Sequence, residues 1–274
     1  VEEKLVKEIG QEGVSRRQIL AGAGALAAGA SLSHLGGLIS PAAAKDGSTE
    51  KWPWPYEKLD PEKTAALAYE EWYRVFCGAA VISSIFGQLR EKVGDPYKAF
   101  PIDSYIYLEG GQAGWGTICG APAGANMVFS LIIGPRKPLS DNTIAHEMCV
   151  DLMEWYSQTL MPVYMPKNPK VTTELAKTVS NSPLCHLSVG KWMKASNKPL
   201  VSPERKDRCA RVAASVAYKA VELLNEWKDG NYESSSEFNC GKLHGITGQQ
   251  NCNECHGSKI PQAPPPPPEP PKKA

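Results

Sequence analysis

Apolar residues recur at helical spacing through most of the middle of this chain. Asp60-Pro61 offers a carboxylate at an N-cap and a proline at the first helical position. The stretch EKTAALAYEEWYRVFCGAAVISSIFGQLREKVG then keeps one apolar face for several turns. It predicts a first helix running to Gly94, with Cys77 on its apolar side, followed by the small residues Gly78, Ala79 and Ala80. A second helix is predicted in IYLEGGQAGWGTICGAPAGANMVFSLIIG, entered by a flexible approach through Gly110, Gly111, Gly114 and Gly116 and beginning at Cys119, where exposed amides and the positive dipole end favour a thiolate or an anionic cluster. SDNTIAHEMCVDLMEWYSQTL predicts a third, from a Ser/Asp start. SPERKDRCARVAASVAYKAVELLNEWKDG predicts a fourth, with Ser202 as N-cap, Pro203 at the first position, Cys209 near its start and Gly230 as its stop. Cys185 falls between these two in a loop or a short helix.

Few segments alternate apolar and polar residues with a period of two, so the fold expected is mainly α, a helical body. Ahead of it, KWPWPYEKLDPEK reads as an extended stretch that lays Trp52, Trp54 and Tyr56 across the body as apolar anchors. At the far end, PQAPPPPPEPPKK reads as exposed polyproline.

The two termini change the picture more than bulk composition does. The chain has 274 residues and a formal net charge of +1, which argues for neither nucleic acid nor an acidic membrane surface as a partner. Near the N-terminus, Arg16 and Arg17 precede a short Ala/Gly/Leu run that leads to Ala42-Ala43-Ala44. That order resembles a twin-arginine export signal with a small-residue cleavage site, and the run is too short and Gly-rich for a bilayer span. A mature chain from about Lys45, in the periplasm and with no membrane span, is the expectation.

Near the C-terminus, Cys252, Cys255 and His256 spell C-x-x-C-H. This is the attachment pattern of a c-type haem, with two thioether cysteines and a histidine ligand to the iron. A zinc reading needs a second matching pair, which the sequence lacks. For the sixth ligand the best candidate is His244, which lies between glycines in CGKLHGITG. His34 leaves with the signal, His146 reads as a structural histidine within the third helix, and His186 reads as occupied beside Cys185. Six methionines leave His/Met ligation open. Eleven residues separate His244 from His256. At about 3.3–3.6 Å per residue they permit ligation within one chain or to a neighbour's haem. Little chain remains to cover the haem, and exposed apolar surface of that size marks an interface. A homodimer about a two-fold axis, with the haems facing each other, is the expected cover.

Six further cysteines follow Lys45: Cys77, Cys119, Cys149, Cys185, Cys209 and Cys240. Disulfides suit an oxidising compartment, an iron–sulfur cluster suits cysteines scattered through a helical body exported folded, and free redox thiols are a third reading. Cys149 reads as a buried apolar residue, and Cys240 as a spare ligand or free thiol.

Cys77, the CGAPAG run at Cys119, Cys185 and Cys209 together resemble the redox-active C-GCAxxG-C-C family over roughly Pro61 to Glu226. The chain departs from that motif in reading Cys-Gly-Ala-Pro-Ala-Gly at 119–124, with Gly-Ala-Ala after Cys77. Taken with WPWPY, the export signal and the terminal C-x-x-C-H, the whole chain resembles the split-Soret cytochromes c of sulfate-reducing bacteria. The resemblance implies a homodimer with one haem per subunit, the haems stacked and one axial histidine crossing between subunits. It also implies a [2Fe–2S] cluster per subunit, for which Cys77, Cys119, Cys185 and Cys209 are the candidate ligands.

The expected organisation is thus a signal over 1–44, a cysteine-containing helical domain over 45–230, a haem c segment over 231–260 and a Pro-rich tail over 261–274. The expected function is periplasmic electron transfer with redox proteins as partners. No catalytic triad, phosphate loop or acid/base pair is legible. The alternative is a redox enzyme: a reductase at a five-coordinate haem, or a thiol–disulfide oxidoreductase using Cys77 and Cys119.

Overall fold

The computed structural model describes residues 51–136 and 141–235. Six α-helices are described: α1 (Pro61–Val75), α2 (Cys77–Lys92), α3 (Gly120–Ile133), α4 (Ile144–Gln158), α5 (Cys185–Ser196) and α6 (Pro203–Lys228). Short 3₁₀ helices cover Tyr97–Ala99 and Ile102–Leu108, and the strands β1 (Leu160–Met161) and β2 (Thr178–Val179) form one small antiparallel pair. The mainly helical class expected from the sequence is what the chain adopts. The export signal and Pro-rich tail lie outside the described residues, as do Cys240, His244, Cys252, Cys255 and His256.

Helix starts follow their local chemistry. Asp60 caps α1 by accepting from the Glu62 and Lys63 amides, with Pro61 opening the helix. Ser202 caps α6 by accepting from the Arg205 amide, and Pro203 follows it. Beyond α6, Gly230 takes a positive φ of 74°.

One expectation needs correcting. The single helix predicted to Gly94 is two helices, broken at Phe76, whose φ of 60° and ψ of −170° fit no helix. Periodicity missed this because the residues on both sides still face the same core. The break turns Cys77 from a mid-helix residue into the first residue of α2.

Helix α2 is the centre of the body. It packs on α1, α3 and α6, while α6 also runs against α1 and α3, and α4 covers α3. From Gly78 to Leu89 nearly every residue of α2 is buried, so its apolar stripe is too wide for a surface helix. The N-terminal stretch serves as the anchor its aromatics suggested. The Trp54 amide donates to Ile132 O at 2.7 Å, and its ring meets Tyr97 edge-on at 5.5 Å. The buried Tyr56 donates its hydroxyl to Asn225 Oδ1 at 2.8 Å.

The buried polar core is organised by Asp207. Its carboxylate accepts from the Tyr69 and Tyr73 hydroxyls and lies 2.6 Å from Arg211 Nη2, tying α1 to α6. Arg211 and Asp207 are both essentially inaccessible to solvent. Asp207→Ala should therefore cost about 3–5 kcal/mol, because it leaves Arg211 as an uncompensated buried charge. Chemical denaturation of the purified protein measures it. A loss below about 1 kcal/mol would mean the pair does not hold these helices together.

Candidate redox site

Three helix starts meet at one place, and each carries a cysteine. Cys77 opens α2, Cys119 is the N-cap of α3, and Cys185 opens α5. Cys209 joins them from the second turn of α6.

Glycine makes the first juxtaposition possible. A Cβ on Gly120 would lie 2.0 Å from Leu108 O and 2.8 Å from Cys77 Cβ. One on Gly78 would lie 2.6 Å from Gly120 O, and one on Gly124 would lie 2.5 Å from Gly78 O. Helices α2 and α3 thus cross backbone to backbone, which brings Cys77 beside Cys119.

A strand-like bridge makes the second. Ile118 pairs antiparallel with Leu184, the Cys119 amide donates to Pro183 O at 2.8 Å, and the Cys185 amide donates to Thr117 O at 2.6 Å. Two extended segments therefore run side by side and each turns into a helix at its cysteine. The glycine loop before Cys119 closes over this pair: a Cβ on Gly111, where φ is +71°, would lie 2.7 Å from Cys185 Cβ. Of the loop's glycines, expected to give a flexible approach, Gly111 and Gly116 are fitted against the start of α5, while a Cβ on Gly114 would meet nothing.

The four thiols are mutual electrostatic neighbours. Cys77 feels Cys119 and Cys209, and Cys185 feels all three others. No two cysteines among the described residues are joined in a disulfide. Nor do they form a chelate: among the described residues no three His, Cys, Asp or Glu side chains are arranged to hold a metal ion. The helix start at Cys119 was expected to favour a thiolate or an anionic cluster, and the free thiolate is the part that needs correcting. Burial raises its pKa and outweighs the Tyr156 hydroxyl and Ala121 amide, which favour the thiolate. Burial also pushes Cys77 up to about 12, and it raises Cys185 further, reinforced by the neighbouring sulfurs. A low-dielectric surround penalises the anion more than one helix end rewards it.

Two buried donors nevertheless await an acceptor. Trp72 Nε1 has no hydrogen-bond partner, although it faces Cys77 closely enough to favour that thiolate. Arg208 is only 2% exposed, and its Nε is also unpartnered. Its Nη2 donates to Ser188 Oγ at 2.8 Å and to Ser188 O at 3.3 Å, while Nη1 lies 3.8 Å from Cys209 Sγ. The Tyr156 hydroxyl is hydrogen-bonded to the same Ser188 Oγ at 2.9 Å; Ser188, which accepts from Arg208, can donate to it and leave the phenolic proton for Cys119. Helix starts, orphaned donors and a buried cation fit an anionic group bound through the cysteines.

Neither Arg208 nor Trp72 was singled out from sequence. The sequence hides this for Arg208, because Glu204 stands four residues before it; in the structure Glu204 pairs with Lys198 Nζ at 2.7 Å instead. Among the remaining candidates, Cys149 is half-buried with Sγ 3.7 Å from Asn126 O. His146 lies in α4 as expected but is exposed, not packed in the core, because its position turns away from α3. His186 is exposed too, with Nδ1 engaged by Gly116 O at 2.8 Å, in keeping with its reading as occupied.

The helical body thus gathers four cysteines, three at helix starts and one in the second turn of α6. The model of the family described as "Putative redox-active protein (C_GCAxxG_C_C)" matches residues 76–223. Split-Soret cytochrome c of Desulfovibrio desulfuricans is 34% identical over 270 residues, covering 89% of this chain and 94% of that protein. A solved structure, described as a novel iron centre in the split-Soret cytochrome c of Desulfovibrio desulfuricans, matches with a TM-score of 0.67 and 33% identity. It covers 75% of this chain and 92% of that one. The chain belongs to the split-Soret cytochrome c family.

The raised thiol pKa values carry a sign. A thiol with an ordinary value of 9.0 that rises to about 12 on folding, as Cys77 does, binds more protons in the folded state. Its contribution is complete below pH 9.0 and is lost as pH rises towards about 12. Metal-free protein should therefore have a lower denaturant midpoint at pH 10.5 than at pH 8. A midpoint that rises over that interval would contradict the burial of these thiols.

Proposed function

We propose that this chain is a periplasmic one-electron carrier, a homodimer with one c-type haem and one [2Fe–2S] cluster in each subunit. Cys252 and Cys255 hold the haem, His256 is its proximal ligand, and His244 is the second axial ligand, from its own or the partner subunit. Cys77, Cys119, Cys185 and Cys209 hold the cluster, and the haems of the two subunits stack at the dimer interface. When bound, the two groups supply one-electron chemistry, taken from one redox protein and passed to another.

The observation that carries this reading is the gathering of four cysteines around a buried arginine in a chain that ends in C-x-x-C-H. Family membership agrees with it, and the solved relative is described as containing an iron centre.

The chain's own residues prepare the site. The amides of Gly110 and Ala121 point to the sulfurs of Cys77 and Cys119 and favour their anionic forms. Cys119 and Cys185 are buried, while Cys77 and Cys209 keep partial exposure. The thiol–disulfide reading fares worse on the same facts. That chemistry needs an accessible thiolate, whereas Cys119 is buried and the pKa values of Cys77 and Cys119 are both raised above the ordinary thiol value. No helix among the described residues is long and apolar enough to cross a membrane.

Two sets of variants test the assignment separately. Cys119→Ser and Cys185→Ser should lose non-haem iron and its visible absorbance while keeping the haem spectrum. His244→Ala should change the haem spectrum and potential while keeping the non-haem iron. Unchanged iron content in the serine variants, or unchanged haem ligation without His244, would remove the corresponding ligand from the account.

A further inference from the structure

Arg208 is the second of two arginines buried on α6, and the two differ in their surroundings. Arg211 has Asp207 at 2.6 Å; Arg208 has no carboxylate within ion-pairing distance among the described residues. A guanidinium stays charged in any protein interior, so it cannot escape the cost of burial by releasing a proton. Serine oxygens satisfy one arm of the fork but carry no net charge, and Nε is left without a partner. The groups that favour its charged form are Cys209, Tyr156 and Cys119. None of these three is a carboxylate. A buried cation lacking an anion is costly; a cation facing an anionic metal–sulfur centre is not.

We infer that Arg208 is the internal counter-charge of the cysteine-bound centre and sets its reduction potential, and that through Ser188 it orients the Tyr156 hydroxyl towards Cys119. This rests on the four-cysteine reading proposed above. Adding an electron adds negative charge to the centre, and a fixed positive charge beside Cys209 favours that step. The hydrogen-bonded path from Arg208 through Ser188 Oγ to Tyr156 sets the tyrosine where its hydroxyl reaches Cys119 as well. Arg208 is therefore a positioning residue for Tyr156 and an electrostatic one for the centre. Hydrogen bonds to cluster sulfurs and nearby charge are the ordinary levers of such potentials.

The test is a redox titration of anaerobically purified holoprotein, followed by optical and electron paramagnetic resonance spectroscopy. It compares wild type, Arg208→Gln, Arg208→Lys and Tyr156→Phe, with the haem potential as internal control. Arg208→Gln should lower the potential of the non-haem centre by the equivalent of at least a tenfold change in its equilibrium, about 59 mV for one electron. The haem potential should stay in place. Arg208→Lys keeps the charge and should recover most of the shift; Tyr156→Phe should give a smaller fall. Should Arg208→Gln fail to retain its centre, Arg208→Lys still decides: a retained centre with a near wild-type potential supports the counter-charge. Equal shifts in the lysine and glutamine variants, or loss of the centre from both, would overturn it in favour of a packing role. Unshifted potentials in all variants would overturn it while leaving the cysteine centre intact. Wild-type protein with no iron beyond its haem would instead defeat the underlying reading, and the inference with it.

Discussion

Everything around the cysteines depends on how closely α2 and α3 can approach. Gly78, Gly120 and Gly124 let two backbones meet where any side chain would collide with a carbonyl oxygen. The same contact orders the site, since Cys77 and Cys119 stand at the ends of those two helices. The break at Phe76 belongs to this arrangement. A continuous helix would carry α1's direction through Cys77, whereas the break lets α2 start at the site with its own free amide end. The Ile118–Leu184 bridge then brings the third helix start alongside. The body is thus built so that helix beginnings, where unpaired amides lie, converge on sulfur.

Charge is the second constraint, and it opposes the first. Close packing removes water, so burial raises the thiol pKa values and would leave the site neutral if nothing else acted. Arg208, buried without an acid, acts in the other direction, as do Trp72 Nε1 and the helix ends. Such a site is poorly satisfied when empty and well satisfied when an anionic group binds. Stability and cofactor retention are in this way two aspects of the same electrostatic balance.

Much of the fold could be read from local chemistry. Asp60-Pro61 and Ser202-Pro203 marked their helix starts because a capping side chain and a proline act within a few residues of themselves. Cys119 at a helix entry and Cys185 near a short helix were legible for the same reason. What escaped was long-range. Nothing in the periodicity of 61–94 distinguishes a helix that bends at Phe76 from one that continues, because both keep the same apolar face. The burial of Arg208 was hidden too, since a lone arginine on an amphipathic helix ordinarily lies in solvent and only the positions of α3, α4 and α5 enclose it. The dipole argument at Cys119 favoured a thiolate or an anionic cluster; burial opposes the free thiolate, and sequence does not show how much protein covers a thiol. The proposed haem ligands, C-x-x-C-H with His244 nearby, lie outside the described residues and stand on their spacing.

The central claim is that one chain carries two iron centres of different kinds. Measuring iron, haem and acid-labile sulfide on the same anaerobically purified sample tests it most directly. The account predicts about three irons and two sulfides for each haem. A ratio of one iron per haem with no sulfide would contradict it, leaving a cytochrome whose buried cysteines hold no metal.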